Sequence, residues 1–203
     1  KNNVLTDFLE SGRYSLRREF FRTISPSMDI LISSNVERLL FEILGRDSIA
    51  VDELMQRLVQ DGEYQIPDGA RRILMQDFYG AFADDNHTRR TIRSTFEKYG
   101  YLMDPHTAVA QTVYEEYARM NAFDNPPTVL VSTASAYKFP EDVLQAITGE
   151  RQSDAFRAAE RLEEVTGVPR PAQITELERL PVRHMRTTAK EDMKEAVLQL
   201  LGE

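Results

Sequence analysis

The sequence predicts a helix-rich α/β fold: an incomplete sheet flanked by helices, with a helical tail behind it. Three observations carry this expectation. Apolar residues recur at helical spacing through most of the chain, with glycines at the stops. Three short runs rich in aromatic and β-branched residues interrupt that spacing, at 18–25, 77–84 and 125–132. From about residue 150 onward the chain is charge-dense and helical, punctuated by "VPRPA" and "LP".

The elements follow in order. In "NVLTDFLESG" (3–12), Val4, Phe8 and Leu9 share a helical face and Gly12 stops it. "REFFRTIS" (18–25) reads as a strand. "SNVERLLFEILG" (34–45) reads as a helix, with Ser34 and Glu37 spaced as a capping box and Gly45 at the stop. "SIAVDELMQRLVQDG" (48–62) repeats the plan. "DFYGAFAD" (77–84) is the second strand, after which Asn86 caps a helix ending at Gly100. Asp104 and Pro105 open the next helix, as N-cap and first helical residue, and it carries Val109, Val113, Tyr117 and Met120. "NPPTVLVS" (125–132) supplies the third strand, with Val129, Leu130 and Val131 running into a core. Pro140, Glu141 and Asp142 open the helix that stops at Gly149, and "TTAKEDMKEAVLQLLGE" (187–203) forms the final amphipathic helix.

Strand–helix alternation in the middle of the chain points to an α/β layer over residues 1–149, and 150–203 reads as a helical extension. Three strands are few for a free-standing sheet, and their edges would need cover. With a start at "KNN" rather than Met, the expectation is one part of a longer protein, prone to self-association through the open edge.

Composition narrows the function. Hydrophobic residues make up 41% and charged residues 29% of the 203, ordinary for a globular domain. No apolar run is long enough to span a membrane, and the start lacks the layout of a signal peptide. The chain contains no cysteine, which excludes disulfides, thiolate metal sites and cysteine nucleophiles and fits a reducing cytoplasm. A net charge of −8 argues against nucleic acid, despite the basic runs "TRRTIR" and "VRHMR". His87, His106 and His184 stand far apart, none at metal-ligand spacing. Neither a Gly-x-Gly-x-x-Gly loop nor a Gly-x-Ser-x-Gly elbow occurs.

Three segments hold more polar groups than folding alone needs. In "SPSMDILISSNVER" (25–38), Ser25–Pro26 can open a turn and Ser34 can cap a helix. Ser27, Asp29, Ser33, Asn35 and Arg38 are in excess, and hydroxyls, an amide and a guanidinium before a helix suit an anion as well as a cap. "DPHTAVA" (104–110) is a helix start in which His106 is either an exposed first-turn residue or part of a site. "VLVSTAS" (129–135) ends a strand in Ser132, Thr133 and Ser135, with Lys138 beyond. Ser132 and Thr133 face opposite ways in an extended chain, so one of them at most meets a given ligand.

Taken in order, "NNVLTDF", "SPSMDILISSNVERLLF", "DPHTAVA" and "STASAYKFP" closely resemble threonine synthase, a pyridoxal-phosphate enzyme of the tryptophan-synthase-β fold type (fold type II). The matching segments span residues 2–140. The resemblance implies the C-terminal part of such an enzyme. The family's Schiff-base lysine, in a Phe-Lys-Asp motif, and its Gly-Asn-Phe-Gly type phosphate loop both lie upstream of the matching segments. No lysine here takes the catalytic role; Lys1 and Lys138 sit in the wrong context.

The implied reaction converts O-phosphohomoserine and water to threonine and phosphate, with this chain inactive by itself. By the family's Thr-Ala-Ser/His pattern, Thr133, with Ser132 beside it, would bind the cofactor, its hydroxyl meeting the ring nitrogen. Ser27, Ser33, Asn35 and Arg38, with Lys138 behind them, would meet the substrate phosphate. Asn3 falls where family members carry an Asn-x-Asn-type pair beside the site. Ala136 stands where the family often has proline. A non-catalytic α-rich binding or assembly module, or a dehydratase or cysteine synthase of the same fold type, is the alternative reading.

Overall fold

The computed structural model of the chain describes residues 2–121, 126–183 and 185–202. The expectations touching Lys1, Asn125, His184 and Glu203 lie outside the described residues. Two compact units result, Lys1–Arg170 and Pro171–Glu203.

The first unit begins with α1 (Val4–Ser11), which forms because Val4 and Phe8 fall on one face, and both are buried. α1 stops at Gly12, whose φ of 72° is left-handed, and a Cβ there would lie 2.9 Å from Ile66 Cγ1. The chain turns straight into β1 (Arg13–Ser15), which pairs antiparallel with β2 (Glu63–Gln65), Tyr14 opposite Tyr64. β2 follows a second helix–glycine unit, α3 (Ser48–Asp61) and Gly62. With α2 (Val36–Ile43) and α4 (Asp68–Asp77), these elements enclose a core of Phe8, Leu40, Leu54, Leu58, Ile66 and Leu74 around the two tyrosines. The Phe8 ring lies 5.8 Å from Tyr14 and 6.0 Å from Tyr64, which themselves stack at 5.4 Å. Such ring pairs add about 1 kcal/mol each beyond the area they bury.

A second group of helices packs α5 (Asp85–Tyr99) against α6 (Pro105–Met120) and α7 (Pro140–Thr148), and α8 (Ala155–Thr166) against α7. Ala108, Ala146, Ala158 and Ala159 are buried there beside Ile92, Val143, Leu144 and Leu162; the small side chains let the helices approach closely. Arg93 Nε donates to Ala146 O at 2.8 Å, tying α5 to α7. Pro171–Glu203 holds α9 (Ala172–Arg179) and α10 (Met193–Leu201), the latter preceded by a 3-10 turn, Lys190–Asp192. Among the described residues no helix is long and apolar enough to cross a membrane.

Several expectations are corrected. The runs 18–25, 77–84 and 126–132 form no strands; β1 and β2 are the strands among the described residues. A strand needs a partner for each main-chain N–H and C=O, and no described segment ladders with these runs. Val129 and Val131 are 85% and 73% exposed, so "VLV" does not run into a core. The cap of α2 is Asn35, whose side chain bonds no main-chain N–H of the helix, and residues 34–35 form a turn before it, so the Ser34–Glu37 capping box is not made. Asp84, not Asn86, caps α5: its carboxylate lies nearer the helix start and accepts from His87 N–H. The final helix starts at Met193, not in the Thr187 region. The stops at Gly12, Gly62, Gly100 and Gly149 and the Asp104–Pro105 start fall where the sequence puts them.

Candidate functional site

The start of α6 collects the polar chemistry. Asp104 caps it, and its carboxylate, with no exposed surface, accepts from the N–H of His106 at 2.9 Å and of Thr107 at 3.4 Å. Two side chains converge on the same carboxylate: His106 Nδ1 at 2.9 Å, and the Thr107 hydroxyl in a short contact with Oδ2. An acceptor-only carboxylate so placed dictates the direction of each neighbour. Nδ1 of His106 must carry its hydrogen. The Thr107 hydroxyl also lies 3.0 Å from Ser132 Oγ. Ser132 in turn lies 3.5 Å from Tyr101 OH.

The loop before α2 enters from the other side. Ser25–Pro26 opens a 3-10 turn, Pro26–Met28, and the N–H of Ser27 donates to His106 Nε2 at 3.0 Å. Asp29 fixes the rest of that loop: it accepts from the Asn2 amide at 2.6 Å, from Thr23 N–H at 2.7 Å and from the Thr23 hydroxyl at 2.7 Å. Asp29 is thus spent on folding. Further on, Tyr14 OH donates to Leu31 O at 2.9 Å and accepts from Ser33 N–H at 2.8 Å, joining the loop to the hairpin core. Burial of the Tyr14 ring pushes its phenol pKa up, so the hydroxyl keeps its proton across the physiological range.

The third segment arrives with Ser135, whose hydroxyl accepts from Tyr137 N–H at 3.2 Å and caps a 3-10 turn, Ala136–Lys138. Phe139 follows, its ring 4.9 Å from that of His106. "SPS", "DPHT" and "STAS…KF" therefore meet around His106 and Thr107. Thr133 is exposed, and its hydroxyl has no partner among the described residues, whereas that of Ser132 is taken up by Thr107.

Among the described residues no hydrogen bond joins the other expected residues to His106 or Thr107. Arg38 Nη2 donates to Asn35 Oδ1 at 2.7 Å, an exposed pair at the start of α2. Lys138 is exposed, with Nζ 5.9 Å from the Phe139 ring centroid. Asn3 donates to Asp7 Oδ1 at 3.0 Å and lines a cavity of about 390 Å³ together with Asn2, Arg22, Ser25, Asp29 and Asp85. That cavity sets Arg22 against the carboxylates of Asp29, Asp84 and Asp85, which is the wrong charge balance for a phosphate dianion. Among the described residues no three His, Asp or Glu side chains form a metal-ligand group.

The sequence pattern left His106 without a role and took Asp104 for a cap alone. The missed signal is a carboxylate cap followed two and three residues later by His and Thr. Both supply extra donors where a capping carboxylate has already satisfied the main chain.

The fold points to the class: the solved structures that the chain resembles are threonine synthases, one of them with pyridoxal phosphate bound. Within that class the likeness is to threonine synthase, and specifically to its C-terminal part: the family described as "Threonine synthase, C-terminal" matches residues 107–198. Human threonine synthase-like 1 is 38% identical over 148 residues, 72% of this chain and 19% of that protein. The structure of pyridoxal-phosphate-bound threonine synthase from Brucella melitensis superposes with a TM-score of 0.66 at 37% identity, over 88% of this chain and 39% of the other. Yeast threonine synthase gives a TM-score of 0.77 at 28% identity, over 99% and 40%. The chain thus spans from about a fifth to two fifths of the length of the relatives it matches.

Proposed function

We propose that this chain is the C-terminal part of a threonine synthase that converts O-phosphohomoserine and water to threonine and phosphate with pyridoxal phosphate, and that the chain alone is inactive. One observation carries the reading: three segments remote in sequence converge on the start of α6, where the Ser132 hydroxyl is engaged by Thr107 and the exposed Thr133 hydroxyl beside it has no partner among the described residues. The runs 18–25, 78–84 and 126–132 add support, since they carry strand composition with no ladder partner among the described residues and could pair with strands from the remainder of a sheet. So does the short share of each relative that the chain spans.

The residues present fit the cofactor. A pyridine nitrogen needs one neutral hydrogen-bonding group, which a threonine hydroxyl supplies, and that of the exposed Thr133 has no partner among the described residues. When bound, the cofactor supplies the electron sink that stabilises carbanions of the amino-acid substrate. This chain would meet the ring through Thr133, with Ser132 bracing the segment before it through Thr107. It also presents Ser27, Ser33, Asn35 and Arg38, with Lys138, to the phosphate. Asn3 lies in the acidic cavity and would serve a different part of the substrate. Residues 1–149 complete the cofactor domain and 150–203 form its helical extension, in a cytoplasmic enzyme that self-associates.

The test is direct. The full-length protein, given O-phosphohomoserine and pyridoxal phosphate, should release threonine and phosphate in equal amounts, while the isolated 203-residue chain should release neither. Phosphate without threonine, or no turnover by the full-length protein, would overturn the assignment.

A further inference from the structure

We infer that His106 is a positioning residue that sets the loop carrying Ser27, and with it one wall of the substrate-phosphate site. The inference rests on the function proposed above, but the geometry behind it is independent of any ligand.

His106 joins all three segments by different interactions. Its Nδ1–H donates to Asp104 Oδ1 at 2.9 Å, its Nε2 accepts from Ser27 N–H at 3.0 Å, and its ring packs on Phe139 at a centroid distance of 4.9 Å. Asp104 cannot donate and a main-chain N–H cannot accept. The two contacts are therefore satisfied together only by the neutral imidazole with its hydrogen on Nδ1. The carboxylate selects the tautomer, and the tautomer selects what the ring can hold. It holds a backbone donor, not a side chain, so the contact fixes where the main chain of residue 27 runs whatever its own side chain is doing. Ser27 is exposed and sits inside a 3-10 turn of only three residues, Pro26–Met28. So short a turn does not hold its own position. Asp29 ties down the C-terminal end of the turn through Thr23 and Asn2, and His106 ties down its middle. Ser27 and His106 stand 79 positions apart in sequence.

Two substitutions separate this role from mere structure. In H106Q the amide oxygen falls near the place of Nε2 and can still accept from Ser27 N–H. In H106N the amide nitrogen falls near the place of Nδ1 and still reaches Asp104, but nothing reaches Ser27. Both are made in the full-length protein and read in two ways. In hydrogen exchange, the segment covering residues 20–31 should exchange about tenfold faster in H106N and within about threefold of wild type in H106Q, in the range expected for one lost hydrogen bond. In steady-state kinetics with O-phosphohomoserine, H106N should raise KM about tenfold with a smaller fall in kcat, and H106Q should largely restore KM. Equal exchange in the two variants, or unaltered exchange in H106N, overturns the positioning role. Should the wild type turn over no O-phosphohomoserine, the functional reading fails, and the exchange data still decide on His106. Altered exchange with an unaltered KM would also overturn the inference, since the loop would then not form a wall of that site.

Discussion

The hairpin core and the converging motif segments are built on opposite principles. Around Phe8, Tyr14 and Tyr64 the chain satisfies itself: two helix–glycine–strand units pair, and apolar side chains close over them. At the start of α6 the main chain of 25–33 and 128–135 has almost no ladder of its own. Side chains hold it there: His106 to Ser27, Tyr14 to Ser33, Thr107 to Ser132. The first region is held by burial. The second has its direction set by a few polar contacts, which is what a binding surface requires, because burial on that scale would leave nothing free to bind.

The sharpest way to break the contrast is to empty the core. Phe8 is fully buried and touches both tyrosine rings. Phe8→Ala should cost about 3–5 kcal/mol, the usual loss for a fully buried ring. Chemical denaturation of the full-length protein checks it, and local opening of α1 to α4 should be visible by hydrogen exchange. A loss under about 1 kcal/mol would mean that this core does not stand by itself.

Thr133→Ala should do the reverse. The side chain is exposed and bonded to no described group, so stability should move by less than about 0.5 kcal/mol. If Thr133 meets the cofactor ring as proposed, turnover by the full-length protein should fall about tenfold or more, the effect of losing one well-placed hydrogen bond. Thr133→Ser, which keeps the hydroxyl, should recover most of it. Unaltered turnover in Thr133→Ala would place the ring-nitrogen contact elsewhere.

The same contrast explains what could be read from the sequence. Local signals were legible. Gly12 and Gly62 end helices because no other residue takes that backbone cheaply, and Asp104–Pro105 opens one because its chemistry is complete within three residues. The strands were not legible. β1 and β2 are three residues long, too short for alternation to register, while "REFFRTIS", "DFYGAFAD" and "PPTVLVS" carry strand composition without a partner to pair with. The hydroxyls at 27 and 132–133 stood out by type and by resemblance. That the main chain of Ser27 reaches His106 and the Ser132 hydroxyl reaches the adjacent Thr107 did not, since contacts across 79 and 25 positions leave no spacing rule to read.

The smallest expected effect lies where the two principles touch, at Asp84. This residue ends the extended run and caps α5, accepting from His87 N–H at 2.8 Å and from the His87 ring at 2.8 Å. The main-chain hydrogen bond comes first in holding its carboxyl below the ordinary Asp value, and the ring bond second. A depressed carboxyl contributes stability that is present above its unfolded value, near 3.8, and is lost as pH falls through its lower folded value. The side chain is 43% exposed, so solvent screening cuts the effect to a few tenths of a kcal/mol, well under the ~1 kcal/mol of a full cap. Asp84→Asn keeps an acceptor for His87 N–H at every pH. The stability difference between wild type and Asp84→Asn should therefore be flat above pH 5 and shift against the wild type below pH 4. Thermal melts from pH 6 to pH 2.5 measure it. A difference that stays flat down to pH 2.5 would mean that the carboxylate does not act through its charge, and that the end of the extended run is held by α5 packing rather than by its cap.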